Sequence, residues 1–190
     1  MTTIASNLQA VQAAVTAAAM TAGRTEDEIC LLAVSKTFPV SAIREACQAG
    51  QACFAESYVQ EALVKITALQ DLELEWHFIG PVQSNKTRLI AENFAWVHSV
   101  DRLKIAERLS EQRPAHLPPL QLCLQVNISD EDSKSGVAPD KALALAKTIV
   151  SLPNLTLRGL MTVPAPCDDV AGQRSAFARL RALQDEINRQ

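Results

Sequence analysis

Residues 29–35 read Ile-Cys-Leu-Leu-Ala-Val-Ser, a continuous apolar run that is followed directly by Lys36. An apolar run of this length without polar alternation is typical of a strand buried on both faces, as in a parallel sheet. Pro39 ends the run and can open a helix, and Gly50 can close that helix. The stretch therefore predicts a buried strand followed by a short helix.

The same order of apolar run and helical period recurs along the chain. An Ala-rich helix is predicted over Ile4–Met20, and Asp101 is the predicted N-cap of the helix that follows the fourth strand. Further strands are predicted near residues 52–55, 76–79, 95–99, 120–126 and 155–161. Alternating strands and helices imply a parallel sheet with right-handed crossovers. Six units suit an open doubly wound sheet, whereas a (β/α)8 barrel needs two more units and about 250 residues. Periodicity leaves both architectures open.

Composition narrows the class of protein. The chain has 190 residues, 48% of them hydrophobic, and 18 basic against 21 acidic side chains give a net charge of −3. This balance predicts one globular domain with no overall attraction to nucleic acid or to an anionic membrane. The sequence shows neither a transmembrane run nor the basic and apolar regions of a signal peptide.

The cysteines and histidines give no metal-binding pattern. The five cysteines are odd in number and form no Cys-x-x-Cys pair, which favours reduced thiols in a cytosolic protein. We expect all five to be small buried hydrophobes. The three histidines lie far apart in the sequence and lack the spacing of zinc ligands.

Lys36 is the candidate with the clearest chemistry, because function concentrates where the strands of a parallel sheet end. A partly desolvated lysine amine at a strand end can attack an aldehyde and form a Schiff base. The alternative is a solvated lysine with no chemical role. From the residues alone, the solvated lysine is the commoner case.

Other strand ends carry weaker signals. Ser57 can cap the following helix, and His77 lies inside the third strand as a hydrogen-bonded interior residue or as an acid or base. Gly159 permits a close backbone approach, and Met161 can offer a soft wall to a ring or pack in the core. No nucleophile elbow, zinc-protease motif or dinucleotide-binding glycine motif is present in the sequence. The residues alone therefore indicate a cytosolic α/β protein with a candidate lysine nucleophile.

Several motifs occur in an order that resembles one family. They are LLAVSKT at 31–37, FAESYVQEA at 54–62, LEWHFIGPVQSNK at 74–86, VNIS at 126–129, SKSG at 133–136 and LRGLMTVPAP at 157–166. Together they are similar to the pyridoxal phosphate homeostasis proteins, relatives of the barrel domain of alanine racemase. The resemblance covers about residues 5–189, which is nearly the whole chain.

The resemblance implies a (β/α)8-type barrel that holds pyridoxal 5′-phosphate as a Schiff base on Lys36. It places Val34, Ser57, His77 and Met161 near the cofactor ring. The implied role is intracellular homeostasis of the cofactor without robust catalysis, by storage or by delivery to apoenzymes that depend on it. A racemase-like enzyme, with Tyr58 or His77 as the opposing base, and a module that binds another protein through its edge strands are the alternatives.

The chain departs from the family pattern at four places. Ala55 and Ser57 stand where the family usually has Gly and Asn, and Phe38 stands where lysine is common. The family continues past residue 190 with two further strands, whose loops form the phosphate cup. Residues 1–190 are therefore expected to be a single barrel domain with about six β-α units. That implies either a fragment with weaker cofactor binding or a barrel whose gap is closed by a partner chain. A full barrel is expected to be a monomer, and a truncated one a dimer that pairs through its open edge strands.

Overall fold

Helices and strands alternate along residues 3–129, 135–167 and 169–190, the parts of the chain that the structure, a computed structural model, describes. The strands are β1 Ala33–Val34, β2 Cys53–Glu56, β3 Glu75–Phe78, β4 Trp96–Val100, β5 Leu120–Gln125 and β6 Leu155–Met161. The helices are α1 Ile4–Thr21, α2 Val40–Gln48, α3 Val59–Ala68, α4 Thr87–Asn93, α5 Leu103–Gln112, α6 Pro139–Val150 and α7 Val170–Asn188. The predicted alternation is confirmed, and most ends lie within two residues of the predicted positions.

The strands follow one another in chain order from β1 to β6, and the pairs whose register is defined are parallel. The chain forms two compact units, residues 1–76 and 77–190. In the first unit β1 pairs with β2, with Val34 opposite Ala55. In the second unit β5 pairs with β6 from Leu120 opposite Leu155 to Gln125 opposite Met161. A sequential parallel order is consistent with part of a (β/α)8 barrel, since an open doubly wound sheet reverses its strand order.

Strand β1 is shorter and more exposed than its apolar run predicts. Only Ala33 and Val34 are in ladder geometry, and 46% of the Val34 surface is exposed. The prediction of burial on both faces is therefore wrong. Val34 is exposed because β1 is an edge strand, which pairs only with β2 among the strands that the structure describes.

The core of the second unit lies on one face of its strands. Val97, Leu122 and Leu124 are fully buried, and Phe78 packs edge-on against Phe94 with ring centroids 5.3 Å apart. Burying each such side chain stabilises the fold by about 1.5–3 kcal/mol. In β4 and β5 the alternate residues Trp96, His98, Gln121 and Cys123 are only half-buried, so their side chains remain partly accessible.

Buried polar groups fix the ends of two helices in the second unit. The Arg113 guanidinium donates to the carbonyl oxygens of Ala91, Phe94 and Pro118 at 2.6–2.8 Å.

Asp101 does not cap α5 as predicted. The cap position is Arg102, whose side chain makes no cap hydrogen bond but pairs with Asp101 at 2.6 Å.

All five cysteines are free thiols, and the expectation that they are buried is wrong. Cys30 is exposed and the other four are half-buried; Cys123, for example, alternates along β5 with the buried Leu122 and Leu124. Burial, with the nearby Cys30, raises the pKa of the Cys53 thiol to about 12, and burial raises that of Cys123 to about 11. Both therefore stay protonated at neutral pH.

Among the residues of known placement, no helix combines the length and the apolar character that crossing a bilayer requires.

Candidate functional site

Lys36 is the second residue of a tight turn at the end of β1. The Phe38 N–H donates to the Ser35 carbonyl at 3.0 Å and closes the turn. Thr37 has a φ of 68°, the left-handed conformation that β-branched residues rarely adopt. Ser35 is buried, whereas Lys36 is exposed. The turn thus presents a primary amine to solvent on a backbone that is hydrogen-bonded on both sides.

A buried ion cluster lies directly behind this turn. The Lys65 ammonium on α3 donates to the Ser35 carbonyl at 2.7 Å, to Glu56 Oε1 at 2.7 Å and to Glu61 Oε1 at 2.6 Å. The Ser35 hydroxyl also donates to Glu56 Oε1, at 2.7 Å. Lys65 therefore has all three of its protons committed, which leaves Lys36 as the accessible lysine side chain of the first unit.

The carboxylate of Glu61 connects this cluster to the turn. Its Oε1 accepts the Thr37 N–H at 2.6 Å as well as the Lys65 proton. The hydrogen bond from Lys65, reinforced by that from Thr37, holds the pKa of Glu61 below its usual value. Glu61 is therefore ionised at neutral pH, and a charged acceptor makes the stronger hydrogen bond to the turn.

Glu56 is fully buried and incompletely satisfied. Its Oε1 accepts two hydrogen bonds, but its Oε2 has no partner among the residues that the structure describes. A buried carboxylate oxygen without a partner is costly in free energy, and such groups concentrate at functional sites.

Val34 lies near the Lys36 turn in the sequence, and Ser57 lies near it through the pairing of β1 with β2. Val34 is exposed and stands opposite Ala55 of β2, two residues before Ser57. Ser57 does not cap α3 as predicted, because the cap position is Tyr58 and no side chain donates or accepts there. Of the predicted site residues, the structure thus places Lys36, Val34 and Ser57 at the ends of two neighbouring strands.

His77 lies in the second unit within an aromatic cluster. Its Nδ1 is 2.9 Å from Nε2 of His98, and its ring stacks on Trp96 with centroids 5.5 Å apart. The exposed Arg158 guanidinium lies over Trp96 at 6.0 Å. His77 is buried and hydrogen-bonded, as one of the two interpretations predicts, and two histidines far apart in sequence meet here.

Burial, together with the neighbouring His77, lowers the pKa of His98 to about 4. His98 is therefore neutral at physiological pH and can accept or donate one hydrogen bond in the pair with His77.

Met161 ends β6 and is half-buried opposite Gln125. Its carbonyl accepts the Val126 N–H at 2.8 Å, which ties the end of β6 to the loop after β5. In that loop Gly136 has a φ of 131° and lies against the backbone of Asn127. Residues 133 and 134 of the SKSG motif are outside the described residues.

Sequence reasoning missed Thr37, Glu56, Glu61 and Lys65. A signal was present, since Ala62, Lys65 and Leu69 follow a helical spacing and all three are buried. A lysine in phase with the core predicts a buried cation, and Glu61 lies one turn before it at the spacing of an ion pair.

The family model described as alanine racemase, N-terminal domain, matches residues 4–190. A pyridoxal phosphate homeostasis protein of Pseudomonas aeruginosa is 61% identical over 188 residues, which are 99% of this chain and 82% of that relative. One of Escherichia coli K12 is 57% identical over 198 residues, covering 99% and 85%. The chain therefore belongs to the alanine racemase N-terminal domain family and, within it, to the pyridoxal phosphate homeostasis proteins. The resemblance drawn from the motifs is confirmed.

Solved structures agree with this assignment. PipY of Synechococcus elongatus with pyridoxal phosphate bound is 39% identical, with a TM-score of 0.77, over 85% of this chain and 76% of PipY. Its structure without the cofactor gives a TM-score of 0.80 at 40% identity over the same shares. Alanine racemase of Clostridium difficile is 14% identical with a TM-score of 0.68, over 84% of this chain and 44% of that enzyme, and shows the fold alone.

Proposed function

We propose that this protein binds pyridoxal 5′-phosphate and serves its intracellular homeostasis, with Lys36 as the residue that holds the cofactor. The observation that carries the proposal is the Lys36 turn, where an exposed amine stands on a backbone fixed by Lys65 and Glu61. The names of the relatives and the cofactor bound to PipY support the choice of ligand.

The residues around the turn fit this cofactor. Pyridoxal phosphate supplies an aldehyde that condenses with a primary amine and releases water. Lys36 provides the amine. The second lysine of the first unit, Lys65, cannot compete because its three protons are already donated to buried and half-buried oxygens. Val34 offers an exposed apolar side chain, and the Ser57 hydroxyl is not used by the helix that follows it. We propose both as contacts of the cofactor.

His77 and Met161 stay predictions from the motifs. His77 is held by His98 and stacked on Trp96, so its ring has one fixed orientation. Its Nδ1 is already in a hydrogen bond with another imidazole. Met161 offers a polarisable apolar surface.

The proposed role includes delivery. A carrier must release its cofactor to apoenzymes that depend on it, and an exposed amine on a surface turn allows the bond to reverse in water. We propose that these apoenzymes are the partners of the protein and that it acts in the cytoplasm. Transfer is tested by incubating the loaded protein with an apoenzyme and following the recovery of that enzyme's activity against a control with free cofactor.

Binding is tested by titrating pyridoxal phosphate, recording absorbance, reducing with borohydride and mapping the labelled peptide. We expect the label on Lys36, loss of that label in Lys36→Ala, and no change in Lys104→Ala, a matched variant of an exposed lysine on α5. A label spread over surface lysines in the unaltered protein, or unchanged specific binding in Lys36→Ala, would contradict the proposal.

A further inference from the structure

The backbone on both sides of Lys36 is held by one pair of α3 side chains. The carbonyl before Lys36, that of Ser35, accepts from Lys65, and the amide after it, that of Thr37, donates to Glu61. Glu61 and Lys65 are also bonded to each other at 2.6 Å. One ion pair, which runs from Glu61 in the first turn of α3 to Lys65 in its last turn, therefore fixes the two peptide groups that flank Lys36.

Thr37 makes this support necessary. A β-branched residue at a φ of 68° is in an unfavourable conformation, and such a conformation persists only where the surroundings impose it. The charge-assisted hydrogen bond from its N–H to Glu61, at 2.6 Å, is the contact that imposes it.

Stability alone does not account for the cluster. Lys65 and Glu56 are buried, and Glu56 retains an oxygen without a hydrogen-bond partner in the described part of the chain. Well-packed apolar residues at such positions are often equally or more stabilising than a buried ion pair. A costly cluster that touches the lysine turn on both sides indicates a role at that turn.

We propose that Glu61 is a positioning residue for Lys36, acting through the Thr37 N–H, and that the buried Lys65 is its counter-ion. The proposal rests on the proposed function, since it concerns the amine that holds the cofactor. Glu61 touches neither the amine nor the cofactor's carbonyl in this role. It keeps the turn in the one conformation that presents Lys36 at a fixed place.

The test compares Glu61→Ala, Glu61→Gln and the control Ala62→Gly. Ala62→Gly weakens α3 at a buried position without touching the turn. The first measurement is the rate constant for borohydride-trapped label on Lys36 at a fixed pyridoxal phosphate concentration. The second is amide hydrogen exchange at Thr37 in the protein without added cofactor.

We expect Glu61→Ala to slow labelling of Lys36 by about 10- to 100-fold, the size of effect that misplacing a reacting group produces. Exchange at Thr37 should accelerate in the same variant. Glu61→Gln should recover most of the rate, because its amide oxygen can accept the same N–H. If Glu61→Ala does not fold, Glu61→Asp replaces it, since it keeps the charge but withdraws the carboxylate by one methylene.

Three results would overturn the positioning role: unchanged labelling and exchange in the Glu61→Ala or Glu61→Asp variant, equal slowing in Ala62→Gly, or a Glu61→Gln rate as low as that of the Ala variant. Failure of the proposed function is distinguishable from these. It appears as absent Lys36 labelling in the unaltered protein, whereas Thr37 exchange reports on the turn without the cofactor.

Discussion

Replacing Lys65 by methionine tests how the first unit tolerates its buried charges. Lys65→Met removes three hydrogen bonds of 2.6–2.7 Å and leaves the fully buried Glu56 with only the Ser35 hydroxyl. Breaking a buried ion pair from one side costs about 3–5 kcal/mol, because the remaining charge is uncompensated. Methionine retains most of the aliphatic packing, so the loss reports on charge rather than on a cavity. We therefore expect the free energy of unfolding to fall by about 3–5 kcal/mol.

The double variant Lys65→Met/Glu56→Gln separates charge from packing. It removes the stranded carboxylate, so we expect it to be more stable than Lys65→Met by at least about 1–2 kcal/mol. Urea unfolding at pH 7 measures both, followed by circular dichroism and by fluorescence of the two tryptophans, Trp76 in the first unit and Trp96 in the second. A Lys65→Met protein within about 1 kcal/mol of the parent, or a double variant no more stable than the single one, would refute this account of the cluster.

Three further predictions concern the second unit. His98 has a folded pKa of about 4, whereas an unfolded histidine titrates near pH 6.5, so the unfolded state binds the proton first. Stability should therefore be lost as pH falls from 6.5 towards 4, by about 2 kcal/mol at pH 5, and His98→Phe should flatten this dependence in urea titrations at several pH values. Arg113→Leu should lower the free energy of unfolding by at least about 3 kcal/mol, because the buried carbonyls of Ala91 and Phe94 lose a charged donor. Arg181→Leu, on the exposed face of α7, should stay within about 0.5 kcal/mol. Gly136→Ala places a Cβ 2.5 Å from the Asn127 amide nitrogen and should lower the melting temperature, whereas Gly50→Ala, also at positive φ but with open space around it, should lower it less.

Most of the fold can be predicted from the sequence because local residue preferences set where helices and strands begin and end. Proline and glycine mark several element boundaries, because their backbones are restricted or permissive. Helix α6 begins at Pro139, and strands β3 and β6 end shortly before Gly80 and Pro164. Apolar runs and helical periods then give the type of each element, and alternation gives a parallel sheet. The exceptions are places where a neighbour decides, such as the exposure of Val34 on the edge strand and the cap of α5.

The candidate site divides in the same way. Lys36, at a strand end in a parallel β/α chain, is visible in the sequence because strand ends are where such folds place chemistry. The side chains that hold its turn are not visible as a group, since Ser35, Glu56 and Lys65 are 9 to 30 residues apart and meet only after β2 pairs with β1 and α3 packs behind them. The same holds for His77 and His98, which are 21 residues apart and share a hydrogen bond at 2.9 Å.

The chain's own residue pattern is enough to give the class of fold, the order of its elements and a candidate lysine at a strand end, because these depend on periodicity and on local backbone preferences. Packing alone determines which lysine is accessible. Lys36 and Lys65 are the same residue type, and the sequence does not rank their reactivity. In the folded protein one ammonium has all its protons bound by buried oxygens, while the other stands exposed on a turn that those same groups hold in place.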